Sequence, residues 1–262
     1  MIVHAEAFRG NAIPRVAASH SRNADASPRF RIDHEHIAQA LELLLAPGQV
    51  IELRALNAKI EGEWRAGTYA GWFDREHIDE LIAACERITQ ASAVYFTPNL
   101  VNPQLLGRSF NRARMMRDKE PLTSDRDIIG RRWLLIDVDA VRPANLSATE
   151  AEKAAAYDLA TAIDYELWEQ GFPPGIIGDS GNGAHLMIPV NLPADDGGFC
   201  ERLLKRLAKQ FNNKAAQVDI SVHNPARIWK LPGTLVCKGD HAPEIGREWR
   251  MSRLMQVCKE VL

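Results

Sequence analysis

The stretch RRWLLIDVDA, residues 131–140, decides how this sequence folds and where its chemistry lies. Residues 131–139 read as a β-strand. Side chains alternate across a strand, so Asp137 and Asp139 share one face while Leu134, Ile136 and Val138 take the opposite, buried one. The two aspartates stand roughly 7 Å apart, at about 3.3 Å of rise per residue. Two ionised carboxylates on an otherwise apolar strand repel each other and are costly to desolvate. A divalent cation removes both problems, and hard oxygen ligands select Mg2+ or Mn2+. The plain alternative is a strand end that reaches solvent, and a lone Asp-x-Asp does not separate the two.

Downstream of this strand, Thr149 and Glu152 have capping-box spacing, and Gly171 lies just past the end of the helix they open. Residues 176–179 and 184–190 read as short strands across a Gly-rich turn, 199–211 as a helix and 217–222 as a strand. Residues 227–231 continue extended until Pro232-Gly233 turns the chain. Strand-helix-strand-strand-helix-strand is the order of a ferredoxin-like or RNA-recognition-motif-like unit. Upstream, Asp33 caps a helix over 34–45 that stops at Pro47-Gly48. Strands follow over 50–56 and 67–73, and Asp74 caps a second helix to about residue 89. A strand covers 93–97, Pro103 opens a basic helix to about residue 116, and 117–130 is a charged loop. The fold class expected is α+β: a flexible leader over 1–32, a small N-terminal α/β lobe over 33–130 and a catalytic lobe over 131–262.

Composition narrows the function classes. The 262 residues are 46% hydrophobic and 25% charged, as in an ordinary globular protein. No apolar run reaches the roughly 20 residues that span a bilayer, and the N-terminus lacks a secretory pattern, so a cytoplasmic location is expected and no membrane partner. Cys85, Cys200, Cys237 and Cys258 are too scattered for a zinc knuckle or a disulfide framework. The net charge of −2 is unlike that of a dedicated nucleic-acid coat. Basic groups nonetheless gather between Arg108 and Arg132 and along Arg202, Lys205, Arg206, Lys209 and Lys214. They read as solvated surface or as phosphate contacts, with Lys205 and Arg206 as candidate template contacts.

Two further segments carry chemistry. In GDSGNGAHLMIPV, residues 178–190, Gly181 and Gly183 allow a tight turn whose amides can cradle phosphate; Ser180 adds a hydroxyl and His185 an imidazole. A Gly-rich hairpin with a structural histidine accounts for the same residues. In QVDISVHNPARIWKLPGT, residues 217–234, Asp219 lies between Val218 and Ile220 and needs a partner. A shared metal is one candidate and an ion pair with Arg227 is the other. Arg227 and Lys230 are candidate phosphate ligands.

In this order, the Asp-x-Asp strand, the Ser-Gly-x-Gly-x-His turn and the hydrophobic-Asp strand resemble the three motifs of archaeo-eukaryotic primases. RIWKLPGT (227–234) and SDRDIIGRRWLLIDVDAVRP (124–143) are similar to the primase-polymerase branch of phages, plasmids and mobile elements. A looser likeness runs through AGWFDREH (70–77) and VYFTPNLVNPQLLGRSFNR (94–112), so that it covers roughly residues 50–256. The resemblance implies a two-lobed primase core with an RNA-recognition-motif-like catalytic lobe. It implies that Asp137, Asp139 and Asp219 hold two Mg2+ or Mn2+ ions, and that Ser180, Gly183 and His185, with Arg227 and Lys230, bind the incoming nucleotide. The implied activity is template-dependent primer synthesis or extension on single-stranded DNA from NTPs or dNTPs, beside a helicase in the same longer chain or a separate one. Two departures stand out: Asn182 occupies a position where cellular primases often carry a basic residue, and no zinc-binding element is present. A non-catalytic DNA-binding replication-initiation module of the same fold is the alternative. A glycosyltransferase or nuclease would explain Asp137 and Asp139 but not the turn followed by Asp219.

Overall fold

The computed structural model describes residues 29–257, so most of the leader expected over 1–32, and Cys258, lie outside the described residues. Helix α1 (His34–Leu44) starts at Asp33, whose carboxylate accepts the His36 N–H at 3.1 Å, and ends before Pro47-Gly48. Strands β1 (Val50–Ile60) and β2 (Gly67–Asp74) form an antiparallel hairpin. A 3-10 turn (Arg75–His77) leads into α2 (Ile78–Glu86); the Asp74 carboxylate caps no helical amide and bonds His77 and Asn111 instead. Next come β3 (Ile88–Gln90), β4 (Ala93–Phe96), β5 (Leu100–Val101) and β6 (Arg112–Met115).

The basic helix expected from Pro103 is not formed. Pro103 opens only a 3-10 turn to Arg108, and Arg112–Met115 is a strand paired with β2. Phe110 and Asn111 adopt positive φ values of 47° and 59°, which no helix continues through. The Asn111 side chain fixes that bend by accepting the Asp74 N–H at 2.9 Å. The edge of β2 then provides backbone partners that a helix would have had to forgo.

The second half contains β7 (Ile128–Ala140), α3 (Glu150–Glu169), β8 (Ile176–Asp179), β9 (Gly183–Leu192), α4 (Phe199–Phe211) and β10 (Ala216–Val218). After these come β11 (Trp229–Lys230), β12 (Leu235–Val236), β13 (Arg250–Met251) and β14 (Arg253–Val257). Both capping-box bonds of α3 are present: Glu152 N–H to Thr149 Oγ1 at 3.3 Å, and Thr149 N–H to Glu152 Oε2 at 2.8 Å. The strand expected over 217–222 stops at Val218, because Ile220–His223 closes a 3-10 turn that Asp219 caps.

The protein is thus of mixed α+β class with antiparallel sheets. One sheet runs β11-β4-β1-β2-β6, with β3 on β1; the other runs β10-β7-β9-β8-β14, with β5 on β7. Helices α3 and α4 cover one face of the second sheet, burying Leu134, Ile136 and Val138 against Leu159, Ile163 and Leu204. The opposite face meets the first sheet and α1 through Trp133, Leu135, Ile176 and Met187. Strand β11, from the C-terminal half, belongs to the first sheet and pairs with β4, so it stands across from β7 and β9. Among the described residues no helix is long and apolar enough to cross a membrane.

Candidate functional site

Past Trp133 and Leu135 the two sheets part, and the site lies in the opening. Period-two alternation along β7 brings Asp137 and Asp139 onto this face, while Ile136 and Val138 are held under the helices. Strand β10 pairs Val218 with Val138, and the Asp219 N–H then bonds Asp137 O at 2.8 Å. The strand breaks there, so Asp219 is a cap: Oδ1 accepts the Ser221 N–H at 2.8 Å and Oδ2 lies 3.6 Å from Arg227. One carboxylate oxygen from each of Asp137, Asp139 and Asp219 lies within 4.8 Å of the others, and this trio could hold a metal ion.

On β9, His185 stands opposite Asp137 in register, with Nε2 3.8 Å from Asp137 Oδ1. The imidazole stacks on Trp229 of β11, ring centroids 3.8 Å apart and planes at 28°. Asp137, Asp139, Asp219, His185, Arg227 and Lys230 line one cavity of about 230 Å³, with Tyr95 and Lys238 also in its wall. The structure therefore brings together six of the eight residues that the resemblance assigns to the metal and nucleotide site.

Ser180 and Gly183 are outside that wall. Ser180 is buried, its N–H closing the hairpin turn on Gly183 O at 3.0 Å, and its Oγ has no hydrogen-bond partner. Gly183 is needed for packing: a Cβ there would lie 2.3 Å from Val138 O, so only glycine lets β9 run this close to β7. Lys205 and Arg206 are exposed on α4, which covers the sheet face opposite the aspartates, and Lys205 pairs with Glu201. Arg131 is buried beside Asp196, at 3.3 Å, and is not surface charge. Lys238 and Tyr95 carry no signal in the sequence. Neither sits in a recognisable pattern, and only the pairing of the sheets brings them to the aspartates.

Electrostatics mark Asp137 as the strained member. Burial, helped by the charges of Asp139 and Asp219 and opposed by Lys230, pushes its carboxyl up to about 6. Its Oδ1 is buried without a hydrogen-bond partner. An orphaned carboxylate oxygen facing two further carboxylates is what a hard, oxygen-seeking cation would satisfy. Burial, then Lys230 and Arg227, holds His185 well below the ordinary imidazole range, so it is neutral. Burial also lowers Lys230, against the pull of Asp137. No family model, no curated protein and no solved structure matches this chain.

Proposed function

We propose that this crevice carries out metal-dependent nucleotidyl transfer on a DNA template, synthesising or extending a primer from NTPs or dNTPs. The observation that carries the reading is the shared wall: three converging carboxylates and the cations Arg227 and Lys230 line one cavity. Carboxylates alone fit many metal sites; carboxylates facing arginine and lysine fit a metal-bound polyphosphate. The order β10-β7-β9-β8 with helices on one face supports a ferredoxin-like catalytic unit, and the packed first sheet supports the two-lobed primase core.

Asp137, Asp139 and Asp219 would hold Mg2+ or Mn2+. Such ions supply a lowered pKa for the attacking 3′-hydroxyl and charge neutralisation for the departing pyrophosphate. Lys230 and Arg227 bind the triphosphate, Lys230 as a point charge and Arg227 through its fork. His185, neutral and immobilised on Trp229, offers a hydrogen bond to a phosphate oxygen without adding charge. Positioning and charge neutralisation suffice for phosphoryl transfer, so no covalent nucleophile is required.

The test is synthesis on single-stranded DNA with Mg2+ or Mn2+ and labelled nucleotides, with and without an annealed primer, beside Asp137→Ala/Asp139→Ala. Products without a primer indicate a primase, and products only with one a polymerase. DNA binding without synthesis in both lanes would overturn the reading in favour of a non-catalytic replication-initiation module.

A further inference from the structure

A cation that the sequence does not single out stands in the wall of the site. Lys238 lines the cavity of the three aspartates and also an adjoining one of about 370 Å³, and Asp139 is the other residue common to both. Its charge acts on Asp137 and Lys230. The side chain is exposed, and among the described residues its ammonium pairs with no carboxylate. A lysine on an idle surface loop would look the same by side chain alone. The backbone distinguishes this one.

Three peptides around Lys238 are held. The Cys237 N–H donates to Ser92 O at 2.8 Å and the Asp240 N–H to Asn145 O at 2.7 Å. Trp249 Nε1 donates to Gly239 O at 2.7 Å. Gly239, at φ +86°, lies so close to Leu146 that a Cβ would meet its carbonyl carbon at 2.7 Å. The Lys238 carbonyl itself accepts from Asn182 Nδ2 at 2.8 Å and from Ser147 Oγ at 3.3 Å. Asn182 is 4% exposed, and its Oδ1 accepts the Ala148 N–H at 2.8 Å, so both ends of its amide are used. A held main chain beside the aspartate trio fixes where the Lys238 side chain starts, so binding has to order the side chain and not the loop.

We propose that Lys238 is a further triphosphate ligand of the site and that Asn182 is the positioning residue that holds it there. This inference rests on the nucleotidyl-transfer reading and specifies its substrate contacts. Arg227 is already shared with Asp219, which leaves Lys230 and Lys238 as the cations without a carboxylate partner in that wall. Lys238, at the boundary of the two cavities, reaches the end of a polyphosphate held beside Asp139. Asn182 acts only through the Lys238 carbonyl and touches no substrate.

The experiment measures binding of dATP and dAMP, with Mn2+, to the protein on a template whose dideoxy-terminated primer stops one nucleotide short of a template thymine. Thermal melts of wild type, Lys238→Ala, Lys238→Arg and Asn182→Ala accompany it. Loss of one charge-assisted contact weakens dATP binding by about tenfold or more in Lys238→Ala. Its dAMP binding and melting temperature stay at the wild-type level, and Lys238→Arg retains most of the affinity. Asn182→Ala lowers the ratio of dATP to dAMP affinity in the same direction, which a merely structural role would not do. Unchanged dATP affinity in Lys238→Ala overturns the inference and leaves the functional reading standing. A wild type that does not prefer dATP to dAMP overturns both. An Asn182→Ala protein that melts lower with its affinity ratio intact removes Asn182 from the positioning role.

Discussion

One face of β7 carries Trp133, Leu135, Asp137 and Asp139 in succession, and its two halves meet opposite surroundings. Trp133 and Leu135 are each 4% exposed and wedge the second sheet against the first sheet and α1, with Trp133 Nε1 donating to Leu44 O at 3.2 Å. Two residues further on, the same face opens on Tyr95, Arg227, Lys230 and Lys238. Both halves pair continuously with β9, from Trp133 to Asp139. What differs is the opposing element: apolar side chains seal one end, and the short β11 with its flanking turns leaves a polar cleft at the other. A strand thus fixes which side chains share a face, and the element across from it decides whether that face becomes core or site.

Four changes probe this contrast. The largest effect belongs to the open half. Asp137→Ala or Asp139→Ala lowers synthesis by at least roughly a thousandfold, the scale seen when a member of a catalytic unit is removed. Folding, followed by circular dichroism, remains intact; an active Asp139→Ala would dissolve the site.

In the sealed half, Leu135→Ala costs about 2–5 kcal/mol in urea denaturation, as buried leucines do. On the proposed metal reading, a rise in melting temperature with Mn2+ persists in this variant, because the three aspartates lie at the other end. A cost under about 1 kcal/mol would mean the wedge is dispensable.

The third change concerns pH. With the Asp137 carboxyl raised to about 6 from 3.8, the folded protein holds a proton that the unfolded chain has released. The contribution of this group to metal-free stability is therefore greatest below about pH 4, falls by on the order of 2–3 kcal/mol as pH rises toward 6, and is flat above. Asp137→Asn abolishes that slope and raises the melting temperature at pH 7 in EDTA. Mn2+ raises the melting temperature of the wild type and not that of Asp137→Asn. A slope unchanged in Asp137→Asn would assign the strain to another group.

The smallest effect lies behind the sheet. Thr149→Ala removes half of the capping box of α3 and costs about 1 kcal/mol, with no change in nucleotide dependence.

The sequence alone determined much of what depends on local period and local caps, though not at Asp74 or Pro103. Alternation along 131–140 placed the aspartates opposite Leu134 and Ile136, Thr149 and Glu152 marked the start of α3, and residues 199–211 showed their helix end to end. These features are set by neighbours a few residues away, and any fold must respect them. Tertiary structure decided the rest. Residues 112–115 became a strand because the edge of β2 was there to pair, and 220–223 became a turn because Asp219 caps it. Trp229 and Lys230 crossed to the first sheet, which stacked His185 and brought a cation to Asp137. Lys238 and Asn182 acquired meaning only when segments 237–240 and 145–148 met the hairpin turn. Long-range contacts leave no periodic trace in sequence, and the electrostatics of a cleft depend on which elements those contacts place across it.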